Sequence, residues 1–333
     1  MDLNNLINKI GIKQKEENKV LDAYIENKNR EKLETLLSEF KEIVSDKAAL
    51  RLWKNRGVDE YYNYINKKIK DFDFDIRKVN LLTDNLLLYQ INDITKNNDN
   101  VTTKFGLFLS ALINKNLKAR EKVQITALMP IDYLFYRLEN AEAHVNIAGM
   151  NLGTGAKNSR IYADEAKDYA GLYMENCELH VKKAGDYLGD NAKDSRIYAN
   201  ETGNFPGWYM QECELHVRKA GEYLGDGATK SRIYADYTGS HAGWDMNRSK
   251  LHVRKAGEYL GDRVIKSKIY ADEAGTNAGK DMENSELFIY KLDGKLYRGC
   301  LKGENRIYLG RESYYEHYLR YKLTGVKVWE KKT

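Results

Sequence analysis

Residues 159–164 read Ser-Arg-Ile-Tyr-Ala-Asp, and nearly the same six residues return at 195–200, 231–236 and 267–272, each 36 residues further along the chain. Halfway between these copies lies a second motif, Glu-Leu-His-Val at 178–181, which also recurs every 36 residues. The underlying unit is therefore 18 residues long. It occurs eight times between about 142 and 285 and alternates between two forms.

Each 18-residue unit, called a coil below, is numbered so that Glu142 is position 1 of the first coil. Position 2 is apolar in every coil, position 4 is Val or Ala, and position 3 is always His or Tyr. This alternation is typical of a β-strand whose even positions face a core. A coil this short cannot bury its own apolar face, whereas a stack of coils can. The pattern predicts a parallel β-solenoid.

Glycine is fixed at two positions of the coil. Position 12 is glycine in all eight coils, and position 8 is glycine in seven, with Lys167 as the exception. Glycine is required where φ is positive or where a Cβ would meet a neighbouring backbone. We therefore predict structural corners at position 12, which is occupied by Gly153, Gly171, Gly189, Gly207, Gly225, Gly243, Gly261 and Gly279.

Opposite charges alternate from coil to coil. Position 1 reads Glu142, Arg160, Glu178, Arg196, Glu214 and Arg232 before Lys250 and Lys268 break the alternation. Because each residue of a parallel stack lies above its equivalent, this order replaces repulsion with ladders of ion pairs. Such networks contribute more at high temperature. They favour a thermophilic source, although abundant Asn and scarce loop prolines oppose that interpretation.

Two rows of aromatic side chains form the candidate interaction surface. Position 10 carries rings that include Tyr187, Tyr223 and Tyr259, and Trp208 and Trp244 lie nearby at position 13. Position 3 reads His144, Tyr162, His180, Tyr198, His216, Tyr234, His252 and Tyr270.

These rings allow two interpretations. Either they form an outward stack that covers the sheet, or they line a track for a ligand, a metal or nucleic-acid bases. Histidines two coils apart lie about 9.6 Å from each other, too far to share a metal ion, so no metal site is predicted. A protein interface is favoured over single-stranded nucleic acid, because acidic residues are interleaved with the basic ones.

Composition bounds the remaining possibilities. The net charge of +5 is small against 54 basic and 49 acidic residues, so it gives no strong case for nucleic acid. No signal peptide or membrane-spanning run is recognisable, which predicts a cytoplasmic protein. Cys177, Cys213 and Cys300 have no CxxC spacing and argue against zinc or disulfides. We expect Cys177 and Cys213 to be buried in place of serine.

The chain is expected to have three parts. Residues 1–120 read as a helical domain, with an apolar stripe through Leu36 and Phe40 and further helices at 59–69 and 101–114. A β-helix follows at 121–290, in which Gln124 begins an imperfect first coil one step before Glu142. Residues 291–333 are predicted as a β-rich cap, with a hairpin turn at 292–295.

One coil, Lys268-Ile-Tyr-Ala-Asp-Glu-Ala-Gly-Thr-Asn-Ala-Gly-Lys-Asp-Met282, has an Ala-Gly-x-x-x-Gly-x-x-Met core. It resembles the GXGXG repeat found in the C-terminal domain of the glutamate synthase large subunit and in formylmethanofuran dehydrogenase. The resemblance covers roughly 142–285 and implies a right-handed β-helix that acts as an assembly module without catalytic residues.

We find no nucleophile, base or metal constellation, so a catalytic role is not predicted and no cofactor is expected. The leading hypothesis is a non-catalytic scaffold whose β-solenoid docks a protein partner or a second copy of the chain. One alternative is a non-catalytic subunit of a redox or amidotransfer enzyme complex. Another is nucleic-acid binding through basic clusters of the helical domain, at Lys67, Lys68 and Lys70 and again at Lys115, Lys118 and Arg120.

Overall fold

The computed structural model describes residues 27–46, 57–80, 82–84, 101–118, 121–297, 304–321 and 326–329. The chain forms two compact units, Met1–Gly149 and Met150–Thr333. Among the described helices, none combines the length and apolar character that crossing a bilayer requires. The basic residue Arg120, the cysteine Cys300 and most of the apolar run at 79–94 lie outside the described residues.

The first unit begins with helices. They are α1 (Asn27–Ser45), α2 (Val58–Lys68), a short 3-10 helix (Ile76–Lys78) and α3 (Val101–Asn116). The helices expected at 59–69 and 101–114 are confirmed as α2 and α3.

Helix α3 provides much of the core of this unit. Its Phe105 and Phe108 are fully buried, and their ring centroids lie 6.1 and 5.2 Å from that of Phe40 on α1. Helix α2 adds the buried Tyr61 and Ile65. Helix α3 is apolar on most of its circumference, a composition that only a helix surrounded by other elements tolerates.

Two parallel strands close the first unit, β1 (Lys122–Ile125) and β2 (Glu142–Ile147). Lys122 pairs with Glu142, and Gln124 pairs with His144, so the step is 20 residues. The prediction that Gln124 lies one 18-residue step before Glu142 is therefore wrong. The two registers differ by two residues, which leaves the same side chains facing the core, and periodicity could not separate them.

The second unit is a parallel β-solenoid. Each strand pairs with the next in sequence, from the third to the twelfth. Eight strands follow the 18-residue step: β3 (Arg160–Ala166), β4 (Glu178–Ala184), β5 (Arg196–Glu201), β6 (Glu214–Lys219), β7 (Arg232–Thr238), β8 (Lys250–Ala256), β9 (Lys268–Ala274) and β10 (Glu286–Leu292).

Parallel pairing continues beyond residue 290, where we expected a separate cap. Strand β11 (Arg306–Gly310) pairs with β10, and β12 (Val326–Trp329) pairs with β11. Helix α4 (Arg311–Tyr321) lies between them in the sequence. The hairpin predicted at 292–295 is wrong, because the strand that follows it is parallel. The tail continues the ladder because Ile307 and Leu309 extend its buried face.

The core of the solenoid alternates in volume. Position 15 is Met in every second coil, and Met174, Met210 and Met246 are fully buried. The coils between them carry smaller residues there, such as the fully buried Ala192 and Ala228. Each methionine therefore packs over smaller neighbours, as predicted, and the stack fills without large voids.

Position 18 forms a ladder of hydrogen bonds inside the core. The backbone N–H of Cys177 donates to Ser195 Oγ at 3.0 Å, and that of Ser231 donates to Ser249 Oγ at 3.0 Å. Cys177 and Cys213 are free and buried at serine positions, as expected. Burial raises the pKa of both thiols, that of Cys213 to about 11, so they remain protonated at neutral pH.

The ion-pair ladders are present at several of the predicted positions. Lys182 Nζ lies 2.7 Å from an Asp164 oxygen, and Arg232 lies 3.0 Å from Glu214. These pairs are solvent-exposed, so each contributes at most about 1 kcal/mol. At the break in the alternation, Lys268 turns away from Lys250 and pairs with Glu286 at 2.6 Å.

The two glycine positions of the coil serve different purposes. Every glycine at position 12 has a positive φ, between +64° and +75°. The position-8 glycine Gly221 instead approaches the previous coil, and an added Cβ would lie 2.7 Å from the carbonyl oxygen of Gly203. Position 12 therefore needs the conformational freedom of glycine, whereas position 8 needs its small size.

Candidate interaction surface

The position-3 rings of the second unit form one continuous stack, called the histidine–tyrosine ladder below. Successive centroids lie 4.4 to 5.3 Å apart with interplanar angles of 4 to 20°. Phe288 and Tyr308 extend it beyond the repeats identified in the sequence. The rings are half-buried, because each covers its neighbours. His144, the remaining ring of this row, belongs to the first unit.

The histidines of the ladder are held by glutamates two residues earlier. His180 Nε2 lies 2.6 Å from Glu178, and His216 Nε2 lies 2.7 Å from Glu214. The bond from His216, followed by that from Arg232, lowers the pKa of Glu214. Sequence reasoning missed this pairing, although Glu-Leu-His places both side chains on one face of a strand.

His252 differs, because Lys250 occupies the place of the glutamate. Burial, with Lys250 as the second cause, lowers the pKa of His252, which keeps its ring neutral. Within the described residues, no group of three or more His, Cys, Asp or Glu side chains is arranged to hold a metal ion. The ladder geometry is that of a structural stack.

A second stack runs along position 10. The rings of Tyr169, Tyr187, Phe205, Tyr223, His241 and Tyr259 lie 4.6 to 5.0 Å apart and within 3 to 9° of parallel. All six residues have a positive φ, from 56 to 62°. Side chains other than glycine rarely adopt this conformation, and the stacked rings compensate for its cost.

The tryptophans at position 13 widen this stack into a surface. The Trp208 ring lies 5.4 Å from that of Tyr187 and 5.1 Å from that of Tyr209. The Trp244 ring lies 5.5 Å from that of Tyr223. Tyr209 is 49% exposed, so the aromatic surface is open to solvent at its edge. The structure thus brings together the predicted position-10 and position-13 residues.

The same surface is acidic, which sequence reasoning overlooked. Three coils carry an acid-Tyr-Leu-Gly-Asp motif, at 186–190, 222–226 and 258–262, and the two coils between them carry the tryptophans. We call positions 9 to 14 of the coils from 160 to 267 the aromatic–acidic face. Its acids are Asp168, Asp186, Asp190, Glu222, Asp226, Asp245, Glu258 and Asp262.

Some of these acids stabilise the backbone. Asp168 Oδ1 accepts from the backbone N–H of Asp186 at 2.9 Å, and Asp186 Oδ1 accepts from that of Asn204 at 2.7 Å. Asn204 Oδ1 continues the series by accepting from the N–H of Glu222. The carboxylates of Glu222 and Glu258 are exposed at the surface of the face.

The aspartates at position 13 are partly or fully buried. Burial raises the pKa of Asp190 and of Asp226 to about 6, and Asp245 adds to the effect at Asp226. Asp262 is 1% exposed, burial raises its pKa, and its Oδ1 has no hydrogen-bond partner among the described residues. Negative charge is therefore held in a poorly hydrated setting, where it interacts strongly with an approaching cation.

Replacing Asp190 with Asn is expected to stabilise the protein above neutral pH. An unfolded aspartate has a pKa of about 3.9, so the folded chain binds the extra proton up to pH of about 6. The free energy of unfolding therefore falls as the pH rises through this window. Urea titrations should show Asp190→Asn more stable by about 1 kcal/mol at pH of about 7.5 and unchanged at about 4. Asp236→Asn, at an exposed site, is the control. A gain independent of pH would contradict this cause.

The basic clusters of the first unit are largely engaged within the chain. Lys68 Nζ lies 2.8 Å from Glu42, and Lys70 Nζ lies 3.8 Å from Asp71. Lys115 Nζ donates to the carbonyl of Ile69 at 2.6 Å and to that of Phe72. These contacts leave less positive charge for phosphate groups than the sequence suggested.

The described elements define a β-solenoid repeat protein with two aromatic ladders and one acidic face. No protein-family model, curated protein or solved structure gives a significant match to this chain. The resemblance to the GXGXG repeat therefore rests on the motif residues alone.

Proposed function

We propose that this protein is a non-catalytic scaffold of the cytoplasm, whose β-solenoid docks a protein partner. The observation that carries the proposal is the aromatic–acidic face, where Trp208, Trp244 and Tyr209 form a contiguous patch on a rigid stack. Trp and Tyr are enriched at protein interfaces because they combine large apolar area with a polar group. Rows of equivalent residues along a solenoid are typical of extended binding surfaces.

Native mass spectrometry of the full chain, isolated under mild conditions from its source cells, tests this proposal. We expect a defined species well above the 38.5 kDa of the single chain. The double variant Trp208→Ala/Trp244→Ala should dissociate that species, whereas Tyr290→Ala, which removes an exposed tyrosine of β10, should leave it intact. Recovery of the single chain alone would contradict a scaffold role.

The same experiment separates the alternatives. A flavin or iron–sulfur enzyme in the complex would favour the redox or amidotransfer subunit, and bound RNA or DNA would favour the nucleic-acid hypothesis. The intramolecular contacts of Lys68 and Lys115 make the latter less favourable.

We further propose that the solenoid is of the right-handed GXGXG type. The support is the Ala-Gly-x-x-x-Gly spacing, together with the positive φ of the second glycine in each coil. An experimental structure with left-handed coils would contradict this assignment.

A further inference from the structure

The aromatic–acidic face separates charge from the rest of the chain. It carries eight carboxylates and one basic side chain, Arg263, which is already paired with Asp245 at 2.9 Å, while the whole chain has a net charge of +5. The strand face of the same coils carries mixed charges in ladders. A surface of this kind selects a partner of opposite charge.

The charge of the face is also periodic. The acidic coils, which contain Asp186, Glu222 and Glu258, alternate with the coils of Trp208 and Trp244. Since neighbouring coils are about 4.8 Å apart, the acidic coils recur about every 9.6 Å along the stack. An apolar indole occupies each interval.

This spacing matches one regular backbone conformation better than the others. A polyproline-II chain rises about 3.1 Å per residue with three residues per turn, so every third side chain returns to one face after about 9.3 Å. A β-strand repeats its face after about 6.8 Å, and two helical turns span about 10.8 Å. Polyproline-II segments also commonly dock on aromatic grooves.

We propose that the aromatic–acidic face binds a basic polyproline-II segment of a partner protein, with an arginine at every third residue. The guanidinium groups pair with Glu222, Glu258 and the neighbouring acids, and the residues between them pack on Trp208 and Trp244. The buried Asp262, whose Oδ1 has no hydrogen-bond partner among the described residues, adds negative potential beneath the face. This inference rests on the proposed docking function.

Two labelled peptides of identical composition test the inference by fluorescence anisotropy at low salt. One repeats Arg-Pro-Pro four times, and the other places the four arginines in one block. We expect the periodic peptide to bind the full chain at least about tenfold more tightly, because only it matches the spacing of the acidic coils.

Charge-neutralising variants locate the site. Glu222→Gln/Glu258→Gln removes two exposed carboxylates of the face and should weaken binding of the periodic peptide about tenfold. Glu165→Gln/Glu201→Gln removes the same charge from the strand face and should leave binding unchanged. Thermal melts of both variants verify folding.

Three outcomes would overturn the inference: equal binding of the two peptides, equal loss in the two variants, and no binding of the periodic peptide. The inference and the scaffold proposal fail separately. A native complex that survives in Glu222→Gln/Glu258→Gln would refute the basic segment and leave the scaffold standing, whereas a chain isolated without any partner would refute the scaffold itself.

Discussion

Deletion of one coil, residues 196–213, is expected to destabilise the protein more than deletion of two coils, residues 196–231. Additive counting of repeats predicts the opposite, because the larger deletion removes more interfaces. The difference arises because the coils alternate, so that only an even number can be removed without placing like residues against each other.

The core suffers most from the one-coil deletion. With Met210 gone, Ala192 would lie next to Ala228 and leave a void, while Leu188 would meet Leu224 at position 11, where large and small residues also alternate. An unfilled cavity of this size costs about 2–5 kcal/mol. The two-coil deletion places Ala192 beside Met246 and restores the native alternation.

The polar positions change in the same direction. The one-coil deletion would place Glu178 on Glu214, Lys182 on Arg218 and Lys183 on Lys219. It would also bring Asp190 next to Asp226, two carboxylates whose pKa burial already raises. Repulsion adds to the void, whereas the two-coil deletion sets Glu178 on Arg232.

Chemical unfolding of the two deletion variants and the parent chain measures the effect. We expect the one-coil variant to be less stable than the two-coil variant by about 2–5 kcal/mol. Equal stabilities, or a more stable one-coil variant, would show that the alternation has no energetic role. A high melting temperature of the parent chain would in addition favour the thermophilic source suggested by the ion-pair ladders.

Gly221→Ala should have the second-largest effect. Its Cβ would lie 2.5 Å from Asn204 Oδ1 and 2.7 Å from the carbonyl oxygen of Gly203. The backbone N–H of Gly221 donates to that same carbonyl at 3.0 Å, so relief of the clash separates two coils and breaks the bond between them. We expect a loss of about 3 kcal/mol in the free energy of unfolding.

Lys167→Ala provides the matched control for this substitution. Lys167 occupies position 8 of its own coil, where a Cβ is already accommodated, and its side chain is exposed. Denaturant titration should therefore place this variant within about 0.5 kcal/mol of the parent. If Gly221→Ala unfolded at the same denaturant concentration as the control, close coil-to-coil approach would not explain the glycine at position 8.

Much of the solenoid was predictable because its signal repeats. Alternating burial at positions 2, 3 and 4 and the methionine packing at position 15 follow from side-chain direction and volume in a stacked strand. The first step, from Val123 to Ala143, was not predictable. Its register differs by two residues from the expected one, and a two-residue shift leaves the apolar pattern unchanged.

The candidate site was predicted as rows of rings, without the interactions that organise them. Coil spacing places successive rings in contact, so the stacking of Tyr187, Phe205 and Tyr223 follows from the repeat. The bond between Glu214 and His216 was missed, because the glutamate was assigned to the ladder along the stack and not to its own strand.

The sequence by itself determined the coil length, the inward and outward positions and the alternation of charge, since a repeat fixes whatever depends only on neighbours one coil away. Only the tertiary structure decided where the array continues and which of its faces is acidic. Strands β11 and β12 join the ladder through steps longer than 18 residues, which periodicity does not reveal. Asp190 and Asp226 become poorly hydrated beside Trp208 because burial depends on every residue packed around them.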